Sequence, residues 1–204
     1  DCTGHGISAA MLTIVNISLL NEYFAAANEV GNNAEFDRYF DPASILETLR
    51  ANVKKTLNAR SNETIAMSGM DMAMMVHKKG DSEVRFAGAN RPLYVVREDK
   101  ELVEIKPVRN PIASYVNEKV FETHNFEYKD SDMFYMFSDG MTDQFSVDGA
   151  TKLKTKGLKE ILVKHSAEEE QLQKKSIMED FNKFRGRAEQ LDDFILVGVR
   201  GSSL

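Results

Sequence analysis

Apolar residues recur at helical spacing in the first 60 residues of the chain. The spacing predicts helices over residues 7–28 and 42–60. The residues expected to face the core are Ala10, Ile14, Ile17 and Phe24 in the first helix and Leu46, Leu49, Val53 and Leu57 in the second. Ser8 is expected to cap the first helix. Asp41 followed by Pro42 marks the start of the second helix, because proline is favoured at the first helical position.

From Ser68 onward the apolar spacing changes to two, which is typical of strands. The predicted strands cover residues 70–77, 84–87, 93–96, 102–105, 120–128, 133–137 and 194–199. Met133–Phe137 is a run of five large apolar residues, which favours a strand covered on both faces. Two more helices are predicted, one over residues 157–165 and one after a capping box formed by Ser166 and Glu169. Helices combined with antiparallel strands predict an α+β layered domain.

The composition narrows the class of protein. A chain of 204 residues with 42% hydrophobic and 28% charged residues is typical of one globular domain, here spanning residues 1–204. The single cysteine, Cys2, excludes a disulfide within the chain and favours a reducing, cytoplasmic compartment. No run of apolar residues is judged long enough to cross a bilayer, so no membrane contact is expected. The net charge of -6 disfavours nucleic-acid binding.

Three aspartates occupy similar local settings that favour metal chemistry. Asp1 precedes a glycine-rich turn, Asp139 follows the apolar strand and precedes Gly140, and Asp192 precedes the last strand. If the three converge, cations must hold them, because two carboxylates about 4 Å apart repel by about 4 kcal/mol at an effective dielectric near 20. Oxygen ligands favour magnesium or manganese. The alternative is that Asp139-Gly140 is simply a turn.

Five motifs occur in order along the chain: Asp-Cys-Thr-Gly-His-Gly at 1–6, Gly-Met-Asp-Met-Ala at 69–73, Ala-Gly-Ala-Asn-Arg-Pro-Leu-Tyr at 87–94, Phe-Ser-Asp-Gly-Met-Thr-Asp-Gln at 137–144 and Leu-Asp-Asp-Phe-Ile-Leu-Val-Gly-Val at 191–199. Together they resemble the SpoIIE-like branch of the metal-dependent protein phosphatases (PPM family), which are relatives of the type 2C serine/threonine phosphatases. The resemblance covers essentially the whole chain.

The resemblance implies an α-β-β-α sandwich of antiparallel sheets flanked by helices, with two manganese or magnesium ions in the complete domain. Asp1 would match the acid that bridges both ions, and the main-chain carbonyl of Cys2 would match a further ligand. Asp139 and Asp192 would match the other carboxylate ligands. No side chain would act as a covalent nucleophile, since a metal-activated water attacks the phosphorus.

Four other residues are candidates for supporting roles. Asp71 could position metal-bound water or be a buried acid satisfied by the backbone. Arg91 could bind phosphate or stabilise its loop. Asp143 and Asp193 could be outer ligands or turn caps.

The sequence departs from the family pattern in two places. The family's domain begins several strands earlier, with a Gly-Asp-Phe-like motif that carries another metal-binding aspartate, so an N-terminally truncated fragment is expected. The type 2C enzymes have a histidine two positions after the bridging acid, where this chain has Thr3. His5 is two positions farther on and does not match.

The expected function is a manganese- or magnesium-dependent phosphoserine/phosphothreonine protein phosphatase in bacterial signalling. The expected partner is a phosphoprotein such as an anti-sigma-factor antagonist, and a homodimer is compatible with the family. The alternative is a non-catalytic regulatory or scaffolding module that keeps the fold. A small-molecule phosphatase using the same metals is a third possibility.

Overall fold

The computed structural model describes residues 1–2, 6–29, 39–58, 69–113, 115 and 117–204. Thr3 and His5 lie outside the described residues. The described elements, in chain order, are α1 (Gly6–Glu29), α2 (Pro42–Asn58), β1 (Met72–His77), β2 (Glu83–Ala89), β3 (Leu93–Val96), β4 (Leu102–Ile105), β5 (His124–Glu127), β6 (Met133–Phe137), α3 (Gly140–Asp143), α4 (Lys154–His165), α5 (Glu170–Arg185) and β7 (Leu196–Arg200), followed by a short 3-10 helix (Gly201–Ser203).

The chain divides into two compact units. Unit 1 comprises Asp1–Pro92 and Lys106–Glu127, and unit 2 comprises Leu93–Ile105 and Tyr128–Leu204. Each unit contains one antiparallel sheet and flanking helices, which confirms the predicted α+β class. A single domain over residues 1–204 stays a prediction.

In unit 1, the sheet has the strand order β1-β2-β5. Helix α2 packs against β2 and β1 through an apolar stripe, which confirms the predicted inward face at Leu46, Leu49 and Val53. The side chain of Leu57, also predicted to face inward, lies outside what the structure describes. Ile45, Leu46, Leu49 and Val53 on this stripe are at most 1% exposed. Burying such side chains stabilises the fold by about 1.5–3 kcal/mol each.

Asp41 begins α2 as predicted. Its Oδ2 accepts a hydrogen bond from the backbone nitrogen of Ser44 at 2.9 Å, and its Oδ1 accepts one from the Thr123 hydroxyl. Burial acts to raise the pKa of the Asp41 carboxyl, but the hydrogen bonds from Ser44 and Thr123 outweigh it and hold the pKa below its ordinary value of 3.8. The ionised carboxylate therefore stabilises both the helix start and its contact with the segment before β5.

Helix α1 presents a different face to the core from the one predicted. Ile14 and Ile17, expected to be buried, are 64% and 53% exposed, whereas Leu12 and Asn16 are 5% and 2% exposed. The prediction is confirmed for Phe24, which is partly buried and packs against the core, and wrong for Ala10, Ile14 and Ile17, which are exposed. Apolar residues occur on several sides of this helix, so their spacing does not select one face. Ser8 lies inside the helix, which begins at Gly6, and so does not cap it.

Helix α1 also corrects the statement that no apolar run could cross a bilayer. Ala9–Ala27 has a mean hydropathy of 1.3 and is long enough for a span, with 11% of the stretch buried. A single helix near the beginning of the described chain that meets these two criteria is weak evidence for a membrane segment.

In unit 2, the sheet has the strand order β4-β3-β6-β7. Strand β6 has the predicted bounds and lies between β3 and β7, with Tyr135 opposite Tyr94 on one side and Gly198 on the other. A core formed by β3, β6, α4 and α5 buries residues such as Met133, Leu158 and Phe181. The central position of β6 explains its unbroken apolar run.

The two helices of unit 2 begin at residues other than those predicted. Helix α4 starts at Lys154, three residues earlier than expected, and Ser166 follows its last residue. Helix α5 is capped by Glu169, whose side chain accepts hydrogen bonds from the backbone nitrogens of Gln171 and Leu172. The predicted capping box of Ser166 and Glu169 is therefore wrong.

Candidate metal-binding site

One group of predicted site residues lies in unit 1, where residues 1–2 run antiparallel to residues 70–71. The nitrogen of Asp1 donates a hydrogen bond to the Asp71 carbonyl at 3.0 Å, and the Asp71 nitrogen donates to the Asp1 carbonyl at 2.8 Å. Cys2 lies opposite Met70, one residue beyond this hydrogen-bonded pair. Backbone groups alternate in direction along an antiparallel pair, so the Cys2 carbonyl points away from Met70. That direction is compatible with the predicted role of this carbonyl as a ligand.

Arg91 joins the two carboxylates of this group. Its Nη2 lies 2.7 Å from Oδ2 of Asp1 and 3.0 Å from Oδ2 of Asp71. The side chains of Arg91, Asp1 and Asp71 are 14%, 31% and 20% exposed, so the ion pairs are only partly screened by solvent. The sequence did not predict this arrangement, because it depends on the pairing of residues 70 positions apart.

A tight turn after β2 brings Arg91 to the acids. Asn90 has a left-handed backbone, with φ of 59°, and its Nδ2 donates a hydrogen bond to Oδ1 of Asp71 at 2.8 Å. The Arg91 nitrogen donates to the Ala89 carbonyl at 2.8 Å. A Cβ at Gly88 would lie 2.2 Å from the Arg91 carbonyl oxygen, so the turn requires glycine there. The sequence analysis did not predict this turn, although the asparagine before Arg91 could have indicated it, since asparagine tolerates left-handed backbone.

The two acids of unit 1 differ in their capacity to hold a cation. Both carboxylate oxygens of Asp71 are engaged, one by Asn90 and one by Arg91. Oδ1 of Asp1 makes no hydrogen bond with any residue in the described part of the chain. Asp1 therefore has one carboxylate oxygen with no partner among the described residues, whereas both carboxylate oxygens of Asp71 have one.

Another group of predicted site residues lies in unit 2, where β6 ends. Asp139 is half-buried and precedes the short helix α3, and its carbonyl accepts hydrogen bonds from the Asp143 nitrogen at 2.9 Å and the Thr142 hydroxyl at 2.8 Å. These bonds fix the turn after the strand. Asp139 is thus held on a rigid element, as the sequence predicted.

The segment before β7 lies against this turn. The Ser138 nitrogen donates to the Ile195 carbonyl at 3.0 Å, and the Ile195 nitrogen donates to Oγ of Ser138 at 3.0 Å. A Cβ at Gly140 would lie 2.3 Å from the Asp193 carbonyl oxygen. Glycine at 140 therefore allows the backbone of the acidic pair at 192 and 193 to approach the end of β6.

The remaining predicted residues are exposed. Asp192 and Asp193 face solvent, and Oδ1 of Asp192 accepts a hydrogen bond from the Asp193 nitrogen at 2.9 Å. Asp143 is also exposed, and its Oδ2 lies 3.0 Å from Nζ of Lys152. Asp143 therefore has a local ion-pair partner, while Asp192 keeps an accessible carboxylate.

The donor set fits a hard divalent cation in chemical type. Aspartate carboxylates and a main-chain carbonyl are the oxygen ligands preferred by magnesium and manganese. Among the described residues, no group of three or more His, Cys, Asp or Glu side chains is gathered closely enough to hold a metal ion. Asp1 and Cys2 lie in unit 1, and Asp139 and Asp192 lie in unit 2, so their joint role as ligands stays a prediction.

A family model described as Stage II sporulation protein E (SpoIIE) matches residues 1–201. No curated protein sequence matches the chain significantly.

Three solved structures similar to the chain differ in their coverage. The SiaA-PP2C domain of Pseudomonas aeruginosa has a TM-score of 0.81 and 21% identity, with 98% of this chain and 73% of that one covered. The PP2C phosphatase domain with a fragment of the regulatory domain of SpoIIE from Bacillus subtilis has a TM-score of 0.66 and 19% identity.

The match to the Bacillus subtilis structure covers 97% of this chain and 52% of that one, so the present chain spans about half its length. The catalytic domain of the serine threonine protein phosphatase PstP, in complex with 2 manganese ions, has a TM-score of 0.56 and 14% identity. That match covers 97% of this chain and 84% of that one. At these identities the structural likeness establishes the fold, which agrees with the predicted arrangement of antiparallel sheets and helices.

Proposed function

Since this chain belongs to the SpoIIE family of PPM phosphatases, we propose that it is a manganese- or magnesium-dependent phosphatase acting on phosphoserine or phosphothreonine in a protein. The family supports a protein phosphatase. The metal, the type of phosphorylated residue and the signalling role are the parts that this proposal adds.

The observation that supports the proposal most is the setting of Asp139. The carboxylate follows a central buried strand, and Gly140 lets the acidic pair at 192 and 193 approach the same turn. Two sequence-distant acids at one edge of a rigid sheet are suited to binding a cation, because their mutual repulsion is relieved when the cation is bound. The metal-containing PstP structure is in keeping with such a role.

The residues of this chain would act by binding and positioning. Asp1, Asp139, Asp192 and the Cys2 carbonyl would hold the ions. Bound manganese or magnesium supplies activation of water and compensation of charge on the phosphoryl oxygens. Arg91 would orient Asp1, since its guanidinium already fixes one oxygen of that carboxylate and leaves the other available. Asp71 would keep Arg91 in place.

The substrate is proposed to be a phosphoprotein of a bacterial signalling pathway, such as an anti-sigma-factor antagonist, in the cytoplasm. This part of the proposal rests on the family alone. A direct comparison of a phosphoprotein with a free phosphomonoester as substrate would distinguish it from a small-molecule phosphatase, which would hydrolyse the phosphomonoester faster.

The proposal is tested by measuring manganese-dependent phosphate release from a phosphoserine protein with the full-length protein and its Asp139→Asn variant. We expect Asp139→Asn to lower the rate by on the order of a hundredfold or more, since it removes the negative charge of a ligand. Asp148→Asn is the matched control, because Asp148 is an exposed turn residue whose carboxylate accepts hydrogen bonds from Ser146 and Ala150. Wild-type rates in Asp139→Asn would overturn the mechanism.

A non-catalytic module is the second candidate. The observation that favours it is that no three metal-binding side chains are gathered among the described residues. Calorimetric titration of the full-length protein with manganese discriminates the two functions. Binding that is weakened by Asp139→Asn supports the phosphatase, and no binding by the wild type supports the module.

A further inference from the structure

A cleft in unit 2 carries a charge that differs in sign from that of the whole chain. It lies between α4 and α5 and has a volume of about 740 Å³. Five lysines line it against two acids, Glu160 and Asp180, which leaves an excess of three positive charges in a chain of net charge -6. The lysines are Lys152, Lys154, Lys156, Lys164 and Lys183. Local positive potential of this kind attracts anionic groups.

Three of the five lysines have no acidic partner within the described part of the chain. Lys164 pairs with Asp180 at 2.6 Å, and Lys152 pairs with Asp143 at 3.0 Å. Lys154, Lys156 and Lys183 are exposed and make no ion pair with a described residue. The available positive charge of the cleft is therefore concentrated on these three side chains, which we call the lysine rim.

Apolar side chains lie among the lysines. Leu153 is 7% exposed, and Ile161 and Phe184 are partly buried and belong to the edge of the unit 2 core. The walls are two helices, so the surface is concave. A concave apolar surface with a charged rim is suited to a peptide that places apolar side chains inside and acidic side chains outside.

We propose that this cleft docks an acidic peptide segment of a partner protein, with apolar residues of the segment against Ile161 and Phe184 and its carboxylates on the lysine rim. A nucleic acid fits less well, because the chain as a whole is acidic and the cleft presents no aromatic stacking surface beyond Phe184 among its described lining residues. The docking function goes beyond the proposed phosphatase activity and does not depend on it.

The test measures binding of a fluorescein-labelled peptide of alternating glutamate and leucine residues by fluorescence anisotropy. The cleft variant is Lys154→Glu/Lys156→Glu/Lys183→Glu. The matched control is Lys55→Glu/Lys79→Glu/Lys106→Glu, which changes the net charge equally at three exposed lysines outside the cleft. We expect the cleft variant to bind more weakly by on the order of tenfold or more and the control to bind like the wild type.

Two further probes separate the contributions of charge and apolar contact. A peptide with serine in place of leucine should bind more weakly if the apolar residues are used, and thermal melting confirms that both variants are folded. Equal weakening in the two variants would overturn the proposal, since long-range charge alone would then explain binding. Tighter binding of a single-stranded oligonucleotide than of the acidic peptide would also overturn it. Loss of phosphatase activity without loss of peptide binding would concern the proposed function only.

Discussion

The Arg91 bridge allows a quantitative prediction about stability. One guanidinium nitrogen contacts Asp1 and Asp71 at 2.7 and 3.0 Å, and the three side chains are 14–31% exposed. Removing one partner of a fully buried pair costs about 3–5 kcal/mol, and an exposed pair is worth about 0–1 kcal/mol. For this intermediate exposure we expect Arg91→Ala to lower the free energy of unfolding by about 1–3 kcal/mol.

The measurement is urea unfolding at low ionic strength in the presence of a chelator. Arg91→Lys should lose less than Arg91→Ala, because an ammonium keeps the charge but cannot match the forked geometry of the guanidinium. Arg187→Ala is the control, since Arg187 is exposed and makes no ion pair with a described residue. A change below about 0.5 kcal/mol in Arg91→Ala would refute the reasoning, because surface substitutions have effects of that size.

The same variant also reports on cation binding. Without the guanidinium, Asp1 loses the contact that holds one of its carboxylate oxygens, so the proposed ligand is less well oriented. We therefore expect manganese to stabilise Arg91→Ala less than it stabilises the wild type. Equal or greater stabilisation of Arg91→Ala would show that Arg91 does not orient Asp1 for the cation.

Three further predictions concern other parts of the fold. Gly140→Ala should weaken manganese binding measured by calorimetry, because its Cβ would meet the Asp193 carbonyl oxygen at 2.3 Å, whereas Gly198→Ala, whose nearest contact is 3.3 Å, should bind normally. Asp41→Ala should lower stability by about 0.5–2 kcal/mol at neutral pH. Because the pKa of Asp41 is lowered in the folded state, the difference in free energy of unfolding between the wild type and Asp41→Ala is fully present above pH 3.8, the ordinary pKa, and is lost as the pH falls through the folded-state pKa. Urea unfolding at several pH values would detect this dependence. Asp132→Ala should lower the free energy of unfolding by about 3–5 kcal/mol in the same assay, since the fully buried Asp132 carboxylate pairs with the partly exposed Arg97. A decrease below about 1 kcal/mol would show that this ion pair behaves like an exposed one.

The sequence predicted elements best where local signals agree. Strand β6 was predicted with its observed bounds, because five apolar residues lie between polar Asp132 and Ser138. The start of α2 was predicted from Asp41 and Pro42, whose preferences at a helix start are local. These features depend on neighbouring residues and so are recorded in a short stretch of sequence.

Other features depend on contacts that a short stretch does not record. The buried face of α1 could not be selected, since Leu12 and Ile14 are similar in polarity and only packing distinguishes them. Helix α4 ends at His165 and Ser166 follows it directly, so Ser166 is not the residue that caps α5. The roles of Asp1, Cys2, Asp139 and Asp192 as ligands came from the family resemblance and stay predictions.

The pairing of residues 1–2 with residues 70–71 has a consequence for local unfolding. The Asp71 amide donates its hydrogen bond to the Asp1 carbonyl, so exchange of this amide with solvent reports whether the segment that carries Asp1 is attached to its neighbour. A cation bound by Asp1 would hold the segment in place and slow that exchange. Hydrogen exchange at the Asp71 amide thus reports both whether a cation is bound by Asp1 and how often the backbone segment that carries Asp1 opens.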